Sequence, residues 1–237
     1  MDPLLISAAS GMKARMESLD MLANNIANTG TAGFKSDREF YGLYQDELPL
    51  IERQWTDYSQ GTLTQTGNPL NLALSGKGFF ALNSPSGTVY TRNGDFHISK
   101  NNELETQDGY TLRNALDHGR PIKVSSGQPI EVGKDGVVRQ GQQDIGQIEV
   151  SSITTAPEAV SKLGSSYFAL VNKTGAISAA QDTEVRQGSL EQANVPVAEM
   201  SVRLVNVMRQ FEMLQKAMLA GAEMNRHAIE EVAKVSQ

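Results

Sequence analysis

Apolar residues recur every seven positions near both ends of this chain and every second position in its middle. Leu5, Met12, Leu19 and Ile26 are spaced by seven, and Ala9, Met16 and Ala23 fall four residues after the first three. At 3.6 residues per turn this spacing collects all seven on one face, which predicts an amphipathic helix with a coiled-coil seam. Asp2-Pro3 supplies the start, an N-cap acceptor followed by proline at the first helical position. Gly30 and Gly33, around Thr31-Ala32, predict that the helix stops near Asn28.

The far end carries the same pattern. Val197, Leu204, Phe211, Met218, Asn225 and Val232 occupy one heptad position; Met200, Val207, Leu214, Gly221, Ala228 and Val235 occupy the other. Gly221 allows close helix approach, and a seam asparagine such as Asn225 sets register at some cost in stability. Lys216, Glu223, Arg226, Glu230, Glu231 and Lys234 lie off the seam, as a solvated face requires.

Between the two ends the period changes. Leu70, Leu72 and Leu74 alternate with Asn71, Ala73 and Ser75, as in a half-buried strand. Val89 to Ile98 predicts a hairpin turning on Asn93-Gly94 in a type I′ turn. That register sets Arg92 opposite Asp95 and puts Val89, Thr91, Phe96 and Ile98 on one face. Asp108-Gly109 and Asp135-Gly136 predict further turns. The fold class expected is therefore α+β: long N- and C-terminal helices pairing as a coiled coil, with an inserted all-β domain. The boundaries fall at a helical arm over 1–35, an extended connector over 36–65, a β-rich domain over 66–188 and a second arm over 189–237. The connector, with Phe40, Tyr41, Tyr44, Trp55, Tyr58 and Pro49 among many charges, reads as a partly ordered strap.

Composition narrows what such a chain can do. At 39% hydrophobic and 20% charged it can bury a core, an aliphatic one since aromatics are 6%. A net charge of -6 and a pI near 5.2 argue against nucleic-acid binding. No stretch reaches the roughly 20 apolar residues of a membrane span, so no direct membrane insertion is expected. The absence of cysteine excludes disulfides, zinc–thiolate sites and thiol nucleophiles. The start lacks a basic n-region and does not read as a cleavable signal.

Candidate chemistry is sparse. His97, His118 and His227 are scattered, none with a second histidine at metal-ligand spacing. Gly76-Lys77-Gly78-Phe79-Phe80-Ala81 fits a loose dinucleotide pattern, but strand-like residues follow it where a phosphate-binding helix should. The glycines read better as a tight turn between strands. Asn172-Lys173-Thr174 matches a glycosylation triplet that is common by chance. No cofactor is expected, and no spaced carboxylate pair suggests an enzyme.

Three blocks resemble the flagellar basal-body rod and hook family. They are Ala23-Asn24-Asn25-Ile26-Ala27-Asn28 with Thr31-Ala32-Gly33-Phe34-Lys35; Gln60-Gly61 through Asn93-Gly94 and on to Asp108-Gly109-Tyr110; and Gln187-Gly188-Ser189-Leu190-Glu191 with Asn194 and Arg209-Gln210-Phe211-Glu212-Met213. The resemblance implies a non-enzymatic subunit of the periplasmic rod, exported by the flagellar type III apparatus. Its partners would be copies of itself and other rod proteins. The terminal helices would form the inner core of a helical tube. Leu5, Met12, Leu19, Ile26, Met200, Leu204, Val207, Phe211, Leu214 and Met218 are then the expected assembly seam. Asn24, Asn25 and Asn28 would cap or bridge helix ends, and Phe34 would anchor the chain after the break. The short connector and the Arg209–Met213 stretch resemble the proximal rod type more than the distal. A cell-wall carbohydrate-active enzyme and a surface adhesin remain as rivals. One departure is Asn71, where the family more often has aspartate.

Overall fold

The computed structural model describes residues 3–43, 49–125, 127–153, 160–164, 166–171, 177–180 and 182–235. It divides into two compact units. One comprises Met1–Ala27, Asp37–Asp57 and Val195–Gln237; the other comprises Asn28–Ser36 and Tyr58–Asn194.

The first unit contains helix α1, Pro3–Ala27, helix α2, Val197–Val235, and a hairpin of Asp37–Leu43 with Pro49–Thr56. α1 starts at the expected proline and ends one residue before Asn28. It packs against both α2 and the hairpin. The connector is therefore not the extended strap expected: residues 37–43 and 49–56 form antiparallel strands with a register shift at Phe40/Tyr41. Charged and aromatic residues in short alternation gave no clear period there, whereas backbone pairing and a helix to lean on fixed the strands. The side chains of Phe40 and Tyr41, and Tyr44 altogether, lie outside the described residues.

Two contacting surfaces also move the inward face of α1. Ala8, Ala14, Ser18, Met21, Leu22 and Asn25 are buried, while Met12, Leu19 and Ile26 are half-buried and Met16 is 53% exposed. A helix seated between two neighbours buries an arc centred between them, which a two-helix heptad pattern does not anticipate. On α2 the expected seam holds its register. Met200 and Val207 are buried, and Leu204, Phe211, Leu214, Met218, Gly221 and Asn225 are half-buried. Val197 is the exception, half exposed. A heptad row drifts about 20° per repeat on a straight helix, so its first member lies furthest round.

The second unit is all β. Its main sheet runs in the order Val160–Leu163, Tyr167–Leu170, Gly87–Thr91, Phe79–Ser84, Thr111–Leu112, Leu104–Thr106, Phe96–Ile98. Leu72–Ser75 pairs with Glu184–Gln187, and Leu63–Gln65 with Ser189–Glu191. These two ladders bring the start and end of the unit together. Leu72, Leu74, Phe80, Leu82, Phe96, Leu112 and Ile122 centre the core. Leu72, Ala73 and Leu74 are all buried, so this strand is covered on both faces instead of one. Gly109 and Gly136 take positive φ in the expected turns. The Asn71 amide donates to the Thr66 hydroxyl at 3.0 Å; an aspartate there would have to accept that hydroxyl's proton instead. The Asn172-Lys173-Thr174 triplet lies outside the described residues.

The Asn93-Gly94 hairpin does not form. Gly87–Thr91 pairs with Phe79–Ser84 and Tyr167–Leu170, and Phe96–Ile98 pairs with Leu104–Thr106, so the two strands lie apart in the sheet. Neither Asn93 nor Gly94 has a positive φ. Asn93 instead accepts the Asp95 amide on its side-chain oxygen at 3.0 Å, a local turn that bends the chain from one strand position to another. Gly94 is needed for space: a Cβ there would stand 1.6 Å from the Leu72 carbonyl oxygen. Backbone cannot yield as a side-chain tip can. Gly94→Ala is therefore expected to cost at least about 2 kcal/mol, read as a lower urea midpoint with unchanged slope. A midpoint within error of the parent would mean the Leu72 strand moves freely.

Candidate functional site

Arg92, freed from the hairpin, belongs to a buried ionic cluster at the closure of the β unit. Glu191 ends the strand Ser189–Glu191, and its side chain is fully buried. Lys35, also fully buried, donates from Nζ to Glu191 Oε1 at 2.6 Å and to the Ser59 carbonyl at 2.6 Å. Arg92 donates from Nη1 to Glu191 Oε2 at 3.1 Å and from Nη2 to the Gly76 carbonyl at 2.6 Å. The Gly61 amide adds a bond to Glu191 Oε1 at 2.9 Å. Burial lowers the Arg92 pKa from its ordinary value, and Glu191 opposes that shift. The Phe79 ring lies 5.0 Å from the guanidinium carbon, a further cation–π contact.

The same place clasps the chain on its way into and out of the unit. The Gly33 amide donates to the Glu191 carbonyl at 2.7 Å. Gly33 sits at φ +68, and a Cβ there would fall 2.2 Å from the Arg92 carbonyl carbon, so glycine is required twice over. Asn194 accepts the Ser36 amide at 2.7 Å, donates its own amide to the Phe34 carbonyl at 3.3 Å, and donates from its side chain to the Ser59 carbonyl at 3.1 Å. Phe34 is fully buried, with the Lys162 ammonium 4.2 Å from its ring centre. Residues 33–36 and 191–194, which join the helical segments to the β unit, are thus tied side by side.

The helical unit has a carboxylate hub of its own. The side chain of Glu39, from the first hairpin strand, is fully buried; it accepts the Ser18 hydroxyl of α1 and a 2.7 Å bond from Arg203 of α2. Asn25 closes α1 onto the hairpin. Its amide nitrogen donates to the Asp37 carbonyl at 2.8 Å, and its oxygen accepts the Asp37 amide at 2.9 Å. Asn28 accepts the Thr31 hydroxyl at 3.2 Å and its carbonyl accepts the Thr31 amide, closing the turn after the helix. Asn24 is exposed, and the Leu5 side chain lies outside the described residues. Of the expected site residues, the structure brings Met200, Leu204, Val207, Phe211, Leu214 and Met218 onto one line.

Sequence patterning missed Lys35, Arg92, Glu191, Glu39 and Arg203, because a buried charge carries no period. The one available signal was that Lys35, Gly61, Arg92 and Glu191 all fall inside the three blocks quoted above. The histidines stand apart: His97 Nε2 is 3.1 Å from Glu105 across the strand pair, and His227 lies near Glu230 on α2. Among the described residues no cluster of His, Cys, Asp or Glu could hold a metal, and no helix is long and apolar enough to cross a membrane.

Comparisons with known proteins agree with this anatomy. Residues 5–35 match the family model for flagella basal body rod protein, residues 73–140 that of the flagellar hook protein FlgE/F/G D1 domain, and residues 186–231 that of the flagellar basal body rod FlgEFG protein C-terminal. A flagellar basal-body rod protein FlgF of Mesorhizobium japonicum is 31% identical over 245 residues, covering all of both chains. The FlgF of Caulobacter vibrioides is 31% identical over 253 residues, again end to end. A FlgG of Borreliella burgdorferi is 32% identical, covering 90% of this chain and 92% of its own. The chain belongs to the flagellar basal-body rod protein family, whose members are structural proteins of the basal-body rod.

Proposed function

We propose that this rod subunit is of the proximal type and polymerises through its terminal helices after export by the flagellar type III apparatus. Copies of the chain and other rod proteins would complete the coiled coil that one copy cannot. The observation that carries this is the length of the α2 seam. α2 has 39 residues and α1 has 25, so about 21 Å of α2 outruns any cover α1 can give. Leu204, Phe211, Leu214 and Met218 stay half-buried within one copy and gain the rest of their burial free energy only against another molecule. The short connector, and FlgF-named relatives that align over the whole of both chains, support the proximal type. FlgG-named relatives of similar identity cover 90–94% of this chain, more than a further FlgF-named relative at 88%, and keep the distal type as the alternative.

The test uses cells lacking the chain and complemented with Leu204→Asp or Leu19→Asp. Rods are expected to stop short and swimming to be lost, while the β unit still melts cooperatively in the purified variants. Normal rods and swimming in both variants would overturn the proposal.

A further inference from the structure

Three strand pairs of the β unit end at one cleft. The pairs close at Ser84 and Gly87, at Leu163 and Tyr167, and at the turn 107–110 between Leu104–Thr106 and Thr111–Leu112. The cleft has a volume of about 450 Å³, within the range of small-ligand sites. The rings of Tyr110 and Tyr167 both line it, their centres 5.0 Å apart and their planes 68° from parallel. In the sheet, Tyr167–Leu170 is separated from Thr111–Leu112 by Gly87–Thr91 and Phe79–Ser84. The Tyr167 hydroxyl nevertheless donates to Asp108 Oδ2 at 2.5 Å and lies 3.2 Å from Thr106 Oγ1. The sheet therefore curls across this end, and Tyr167 ties its two sides together. Burial, and then the bond to Asp108, raise the Tyr167 pKa from its ordinary value, so the hydroxyl keeps its proton and remains the donor. Asp108 itself is exposed. Neither it nor the two rings has a part in the clasp or the helical seam.

From this arrangement we infer that the cleft binds a primary alkylammonium group, its charge held by Asp108 and the corner of the two tyrosine rings. Three observations select that ligand. First, Asp108 is the one charged side chain among the described residues lining the cleft. An anion would meet an uncompensated carboxylate there, and a cation would neutralise it. Second, two rings set near a right angle form a corner, and the electron-rich face of an aromatic ring attracts a cation. An ammonium in that corner gains from the rings and the carboxylate together. Third, the carboxylate is already held by Tyr167, so binding orders little that was free, and its other oxygen can accept an N–H. The remaining wall is apolar, with Val89 buried and Leu163 44% exposed. That wall suits the methylene stem behind a charged head. The site stands apart from the rod reading and does not depend on it.

The test titrates nitrogen-15-labelled full-length chain with n-butylamine, charged at neutral pH, and follows the amide resonances of Gly109, Tyr110 and Gly164. These are expected to shift and saturate. The alcohol of the same stem, n-butanol, should leave them in place at equal concentration. Asp108→Asn keeps the shape and the hydrogen-bonding capacity of the side chain but not its charge, and should weaken butylamine binding at least about tenfold. Tyr110→Leu keeps an apolar wall without the ring face, and should weaken it about three- to tenfold. Resonances far from the cleft report whether each variant is folded. Should one fail to fold, the comparison of butylamine with butanol on the parent chain decides. Equal shifts from the amine and the alcohol would overturn the inference, as would parental affinity in a folded Asp108→Asn. Larger shifts from methyl β-glucoside than from butylamine would also overturn it and make the cleft a saccharide site.

Discussion

Replacing Glu191 with alanine is expected to destabilise the β unit by about 3–5 kcal/mol, a large share of the roughly 5–15 kcal/mol that holds a domain folded. The carboxylate is the single anion between two buried cations, Lys35 and Arg92. Removing it leaves two positive charges within a site that water does not reach, without the anion that both of them bond. Glu191→Gln restores the shape but not the charge, and it should recover little. Lys35→Met should behave differently. It leaves the Arg92–Glu191 pair neutral as a unit and replaces a buried ammonium with an apolar chain of similar length, so it should cost less than Glu191→Ala. Urea titrations of the three variants give the ranking directly. Equal loss in Glu191→Ala and Lys35→Met would show that packing, not charge balance, holds the clasp.

A second large effect is expected in the helical unit. Val207 is buried on α2, so Val207→Asp places a carboxylate on the seam, where the cation one turn away, Arg203, is already engaged by Glu39. The cost should be at least about 3 kcal/mol and should fall on the helical unit. Far-UV circular dichroism is expected to lose helical signal while the β unit retains its own urea midpoint. A concerted loss of both would mean that the two units fold as one and that the arms are not separable from the β unit. Glu39, held by Ser18 and Arg203, is the point where such uncoupling would be felt first within the helical unit.

How much of this could be read from the chain depends on the range of the interaction. The helices were legible because their apolar residues repeat along the same segment that folds; α1 starts at Pro3 and ends at Ala27, as its proline and glycines predict. The α2 seam was legible in register for the same reason. The face of α1 was not, because the hairpin that shares its burial comes from residues with no clean period. Asn93-Gly94 shows the opposite failure. Its local turn preference is strong, yet strands from residues 79–84 and 104–106 outcompete it, and the glycine serves a carbonyl contributed by Leu72. The clasp was the least legible feature. Lys35 and Glu191 are 156 residues apart, and only the closure of the ladders at 63–65 and 72–75 brings them together.

The most direct test of the central claim is mass spectrometry of rods purified after hook and rings are stripped away. Peptides of this chain are expected in every rod preparation, in multiple copies per rod, and their removal by deletion should leave cells without a complete rod. Complete rods and swimming cells in the absence of the chain would contradict it.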